Sequence, residues 1–166
     1  MAFHILFVCT GNTCRSPLAE IIARREFEAD ARFEVSSAGT FADDGSYASS
    51  GSLEMAREHQ LDLETFRSRR LTEEIVNRAD CILVMELAHR SGVLGVSPQA
   101  DTKTFLLGEL AGRTGREASV PDPFGGPIES YRRTFEKIQA FIRDATGKLA
   151  ALSEGRDDRS EESETR

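Results

Sequence analysis

Residues 3–8, FHILFV, form a continuous apolar run interrupted by one polar side chain, His4. A strand of this kind has to be covered on both faces, the condition met in a parallel sheet with helices packed on either side. Further strands are predicted at Phe33 to Ser37, at CILVM (81–85) and at TKTFLL (102–107). The segments between them read as helices. Ser16 reads as an N-cap and Pro17 as a first helical residue, predicting a helix from about Pro17 to Phe27. Others are predicted over Ser49 to Gln60, with Leu53, Met55, Ala56 and Leu61 as core contacts, over Thr72 to Ala79, and over 87–95. Ile128, Tyr131, Phe135, Ile138, Ile142, Ala145, Leu149 and Leu152 recur at spacings of three and four, the stripe of a helix packed on a sheet. Strands alternating with helices predict an α/β fold. The expected form is a single domain over residues 1–152, a doubly wound four-stranded parallel sheet flanked by helices.

The chain has 166 residues, enough for one core, and a formal net charge of −7. That balance argues against nucleic acid or an anionic membrane as a partner, since both need a basic face. Part of the charge is local. Ser153 to Arg166, SEGRDDRSEESETR, holds six acids, three bases and no apolar side chain, and is expected to form a disordered acidic tail. No apolar stretch approaches 18 residues and no secretion signal is evident, so a cytoplasmic protein is expected, a monomer or weak dimer. Cys9, Cys14 and Cys81 do not make a disulfide framework. Together with the scattered His4, His59 and His89 they give no metal-ligand spacing, so neither metal nor other cofactor is expected.

In a parallel sheet, ligands bind beyond the carboxyl ends of the strands, where loops lead into helices. CTGNTCRS, residues 9–16, occupies that place after the first strand. A loop of five residues between Cys9 and Arg15 can curl around one point and aim successive backbone N–H groups inward, a nest for an anion. Thr10, Gly11, Asn12, Thr13, Cys14 and Arg15 are the residues of that nest. Gly11 and Asn12 are the most willing to take left-handed conformations. The following helix adds the positive end of its dipole, and the Arg15 guanidinium can grip two phosphoryl oxygens. The same field favours the thiolate of Cys9, its nucleophilic form, and Ser16 can donate a proton to it. The nucleotide-type pattern GxxxxGK[ST] is absent. A thiolate attacking phosphorus needs an acid for the leaving group. Asp122, stiffened between two prolines in VPDPFGG (120–126), is the candidate. Alone it reads as a turn aspartate. Its place before the last helix lets that loop arch over the tip of the first strand.

Together, VCTGNTCRSPLAE and DPFGG resemble the low-molecular-weight protein tyrosine phosphatase family. The resemblance covers about residues 3–152, including SSAGT after the second strand and ADCILVM at the third. It implies a metal-independent mechanism in two steps on phosphorylated protein substrates. Cys9 would form a cysteinyl-phosphate, Arg15 and the loop amides would hold the oxygens, and Asp122 would serve as acid and then base. It also implies a supporting network of Asn12, Ser16 and Ser37. Some members place a histidine in that network, at a position matched here by Phe66. Cys14 matches a second loop cysteine that would trap oxidised Cys9 as a reversible disulfide; by its residue type alone it is equally a small buried side chain. Eukaryotic-type members carry two aromatics after Asp-Pro, whereas here Phe124 is followed by two glycines. Thr13, Phe41 and Phe124, as a substrate pocket, resemble the bacterial protein arginine phosphatase branch, because a threonine hydroxyl can bond a guanidinium. Phosphotyrosine is the alternative substrate. Two remoter readings are an arsenate reductase, which needs two further cysteines where only Cys81 exists, and a non-enzymatic redox or anion-binding module, which would not need Asp122.

Overall fold

A computed structural model describes residues 1–164. The first apolar run becomes strand β1 (Phe3–Cys9), and its two faces feed two cores. Phe3, Ile5, Phe7 and Cys9 enter one, and Leu6 and Val8 the other, as the period of two requires. β2 (Phe33–Gly39), β3 (Cys81–Val84) and β4 (Thr104–Leu106) complete a four-stranded, all-parallel sheet in the order β2-β1-β3-β4. The chain leaves β1 for one neighbour and returns later for the other. The carboxyl end of β1 is therefore the topological switch point, where such sheets hold their ligands.

One face is covered by α1 (Arg15–Glu26), α2 (Ser50–Glu58) and the last helix, whose Tyr131, Phe135, Ile138, Ile142, Ala145 and Leu149 all join that core. The stripe read from spacing is the buried stripe. On the other face lie α3 (Glu73–Arg78) and α4 (Leu87–Val96), with Val76 and Val93 inside. Ser49 caps α2 and Thr72 caps α3, each hydroxyl accepting an N–H of the first turn.

Three expectations are corrected. α1 begins at Arg15, not Pro17, with Cys14 at the N-cap position and no capping side chain. The Ser16 hydroxyl is engaged elsewhere, by Asn12 and Cys9, so it cannot cap. The fourth strand is only Thr104–Leu106. Pro98 opens a 3₁₀ helix through Lys103, and Leu107–Leu110 turns straight into a short helix, α5. Finally, α6 runs from Ile128 to Glu164, through most of the segment expected to be disordered; residues 165 and 166 lie outside the described residues. Extending a formed helix adds one hydrogen bond per residue fixed, so a polar sequence can follow a docked one. The segment is also tied down. Ser153 is buried, and the Arg156 guanidinium donates to Met1 O (2.5 Å), Ala2 O (3.0 Å) and Asp80 Oδ2 (2.7 Å).

Arg156→Ala is therefore expected to cost about 1–2 kcal/mol and lower Tm by a few degrees, read by thermal unfolding against exposed Lys148→Ala as control.

Candidate active site

β1 delivers Cys9 to the switch point, and the loop after it is pinned by its carbonyls. Thr40 N–H donates to Cys9 O (2.9 Å), Phe41 N–H to Thr10 O (2.9 Å), Ser49 N–H to Thr13 O (2.8 Å), and the Ser52 hydroxyl to Cys14 O (3.1 Å). The carbonyls are consumed by neighbouring segments. Among the described residues, the backbone N–H groups of Thr10 to Arg15 donate to no protein acceptor. An arc of unpaired donors is what an anion nest consists of. The left-handed residue in the curl is Asn12, at φ 53°, while Gly11 keeps a negative φ. Gly39 supports the curl from β2: a Cβ there would stand 2.4 Å from Thr10 O and 2.9 Å from Asn12 N.

Behind the loop, hydrogen bonds run in one direction only. Arg69 N–H donates to Asn12 Oδ1 (2.9 Å), which fixes the amide so that Nδ2 faces two hydroxyls, Ser16 Oγ (2.8 Å) and Ser37 Oγ (3.0 Å). Ser37 accepts from Asn12 and passes its own proton to Glu20 Oε2 (2.5 Å). Ser16 likewise accepts from Asn12, leaving its proton for Cys9 Sγ, 2.9 Å away. The chain thus ends in a hydroxyl donated to the sulfur. Asn12, Ser16 and Ser37 all sit in the network implied by the resemblance. Phe66 packs against the core, and Arg69 fills the network instead, its Nε also donating to Ser37 O (2.8 Å). Glu20 was not foreseen. Burial pushes its carboxyl above the usual range, opposed by Ser37, Arg24 and Arg69. A glutamate one turn into an otherwise apolar-faced helix was the available sign.

Arg15 is 2% exposed. Its NH1 donates to Glu86 Oε1 and to Val120 O (2.9 Å), and NH2 stands 3.6 Å from Asp122 Oδ2. Its buried Nε has no acceptor among the described residues. Val120 N–H donates to Met85 O (2.9 Å), fastening the segment before Asp122 to the end of β3. The half-exposed Asp122 accepts Phe124 N–H at Oδ1 (3.0 Å), an Asx turn that holds its carboxylate. The loop therefore does arch over the tip of β1. Cys9, Thr10, Gly11, Thr13, Cys14, Arg15, Asp122 and Phe124 line one cavity of about 230 Å³. Phe41 does not line it; its side chain is 78% exposed beside the loop. Cys14 is buried, with Sγ 3.2 Å from Ser49 Oγ and 3.7 Å from the Tyr131 hydroxyl. Cys81 pairs with Ile5 at the far end of the sheet, its thiol pushed up to about 12 by burial and then by Asp80.

Two residues at the start of α4 were also missed, because they only become neighbours of the loop in the fold. Glu86, the N-cap, holds Arg15. His89 is 3% exposed, and its pKa is lowered to about 4 by burial first and by Arg15 second, against Asp122. Neutral His89 accepts Glu86 N–H at Nδ1 (3.0 Å), so Nε2 carries the proton and donates to Thr10 Oγ1 (2.9 Å).

Residues 4–155 match the family profile described as low molecular weight phosphotyrosine protein phosphatase. The chain belongs to that family. It is a protein phosphatase of the cysteine-dependent type the family comprises. Similar relatives include a protein-arginine-phosphatase of Geobacillus stearothermophilus, 38% identical over 149 residues, covering 90% of this chain and 97% of the relative. The solved structure of the arginine phosphatase YwlE from that organism matches with a TM-score of 0.81 at 37% identity, over 90% of this chain and 94% of that one. The low molecular weight protein-tyrosine-phosphatase PtpB of Staphylococcus haemolyticus is 42% identical over 151 residues, covering 90% of this chain and 99% of the relative. A further YwlE structure, a cysteine-to-serine mutant with a phosphorylated active site serine, matches with a TM-score of 0.82 at 34% identity, over 89% and 95% of the two chains.

The neutral His89 makes stability depend on pH. Its folded value, about 4, lies below the ordinary 6.5, so the unfolded chain binds more protons between those limits and stability falls as pH drops through that window. The expected loss between pH 7 and pH 5 is about 1–2 kcal/mol. His89→Gln, which cannot take up the proton, should flatten that slope in urea titrations at the two pH values. Glu20, shifted upward, acts in the opposite sense in both proteins and cancels from the comparison.

Proposed function

We propose that this phosphatase works through Cys9 as nucleophile and Asp122 as acid and base, and that phosphoarginine is its preferred substrate. The observation that carries the chemistry is the single cavity holding Cys9, Arg15 and Asp122 beneath an arc of unpaired loop amides. Cys9 sulfur attacks phosphorus as the bond to the substrate's nitrogen or oxygen breaks, and Asp122 supplies the proton to that leaving atom. Phosphate is then carried on sulfur. Asp122, now a carboxylate, takes a proton from the water that attacks phosphorus, and the sulfur leaves as thiolate with the Ser16 hydroxyl donating to it. Arg15 and the amides of residues 10–15 hold the three oxygens, whose charge grows in the transition state. The phosphorylated active site serine of the YwlE cysteine-to-serine mutant supports a covalent phosphate intermediate in a relative of the same fold.

The leaning to phosphoarginine rests on Thr13. Thr13 belongs to the cavity lining, and its hydroxyl has only a long contact, 3.9 Å to Cys14 Sγ, so its strongest hydrogen-bonding capacity is left for a ligand. A guanidinium presents N–H groups to such an acceptor, whereas a phenol ring presents carbon. Relatives named for either activity lie at similar identity, so the names alone do not decide between substrates.

Asp122→Asn is expected to slow hydrolysis about 100-fold for poor leaving groups and much less for p-nitrophenyl phosphate, whose leaving anion needs little help. Equal losses on both would remove Asp122 from the acid role. On matched phosphopeptides the wild type should favour phosphoarginine. Thr13→Ile should shift the ratio of kcat/KM toward phosphotyrosine roughly tenfold, since a guanidinium loses a partner and an aromatic ring does not. A wild-type preference for phosphotyrosine, unchanged by Thr13→Ile, would make phosphotyrosine the substrate.

A further inference from the structure

Next to the catalytic cavity, and sharing its acid loop, lies a second cavity of about 350 Å³. Pro121, Asp122 and Pro123 form one side. Ser130, Arg133, Thr134 and Lys137, successive positions on one face of α6, form the other. Charge sets this face apart. The chain carries a net −7, and neighbouring cations are neutralised, Arg132 by Glu58 (2.5 Å) and Glu129 (3.4 Å), Arg113 by Asp144 (2.7 Å). Arg133 and Lys137 have no carboxylate partner among the described residues. Arg133 donates to Ser130 Oγ (3.2 Å), and Lys137 Nζ lies 5.6 Å from the Phe141 ring.

Thr134 gives an independent sign. It is only 6% exposed, yet its hydroxyl makes no hydrogen bond to the described protein. The hydroxyl is not sealed in, since among the described residues the only buried side-chain N or O without a partner is Arg15 Nε, so it is open to a group that enters the cavity. Here it lines a cavity together with a second hydroxyl and two unneutralised cations, the donor set of an oxyanion site. The one anion in the lining, Asp122, is already committed to Phe124 N–H and faces Arg15.

We propose that this cavity docks an anionic side chain, carboxylate or phosphate, belonging to the same phosphoprotein whose phosphorylated residue enters the catalytic cavity. The proposal rests on reading the Cys9 cavity as the phosphatase site. Because Asp122 lines both cavities, a residue flanking the phosphorylated one in an extended substrate can supply the docked group. The occupant is acidic because the α6 side of the cavity offers it two cations without a carboxylate partner and two hydroxyls, while Asp122 on the opposite side is engaged by Phe124 N–H and faces Arg15.

The test uses matched phosphopeptides, phosphoarginine and phosphotyrosine alike, flanked by glutamate, glutamine or lysine. Wild type should favour glutamate over glutamine roughly fivefold in kcat/KM, through KM and not kcat, with the advantage fading at high salt. A double variant, Arg133→Gln with Lys137→Gln, should lose that preference while kcat/KM on p-nitrophenyl phosphate stays as in wild type. Thr134→Val should lose part of it. A wild type blind to flanking charge, or a double variant that keeps the preference, would overturn the proposal. Anisotropy of a labelled, unphosphorylated glutamate-rich peptide separates docking from chemistry. Binding lost in the double variant supports the site even if no phosphopeptide is turned over, and equal binding to both proteins refutes it.

Discussion

The carboxamide of Asn12 sits at the one left-handed residue of the nucleophile loop, fully buried, and makes three hydrogen bonds that matter to the site. Its oxygen takes the Arg69 N–H, which orients the group. Its two protons go to Ser16 and Ser37, which orients theirs. A strained φ is retained only where surrounding bonds over-determine it. Here those bonds come from α1, β2 and the segment before α3, so the loop's shape is held by three parts of the chain at once. The curl that turns the amides inward and the hydroxyl that reaches Cys9 sulfur follow from the same side chain.

Burying Arg15 beside a thiol is costly unless its charge is met, and the fold meets it with groups from distant segments. Glu86 and the Val120 carbonyl hold one guanidinium nitrogen, while Asp122 stands near another. Glu86, which holds Arg15, and Asp122, proposed to act on the leaving group, are thereby set in one frame. His89 completes it as a neutral ring, because burial disfavours its charge and a second cation there would face Arg15. Its proton is spent on Thr10, the first residue of the loop.

The acid loop has two sides. One closes the catalytic cavity, and the other closes the cationic cavity on α6. The long final helix thus does more than cover the sheet. Its apolar stripe fills the core, and its first turns present polar side chains beside the acid loop. Its far end reaches back to the N-terminus through Arg156. A phosphatase acting on proteins has to hold a chain as well as a phosphate, and the surface around the mouth is where that can be done.

What could be read in the sequence was whatever local chemistry dictates. The apolar run of β1, the stripe of α6, the helix starts near Ser49 and Thr72, and the crowding of Cys9, Asn12, Arg15 and Ser16 into eight residues are all short-range facts. The family motif extended that reading to Asp122, more than a hundred positions away. Boundaries failed where a tertiary bond outbid a local preference: Ser16 serves the sulfur instead of capping α1, and the polar end of α6 stays helical past a buried Ser153. Glu86, His89 and Arg69 could not be found by spacing, because each reaches the site from another part of the chain and carries no local mark of doing so. Sequence determined which groups the loop would contain and that a parallel sheet would present them. Only the tertiary structure decided which protons point where, since a hydrogen bond's direction depends on the partner that the fold brings to its other end.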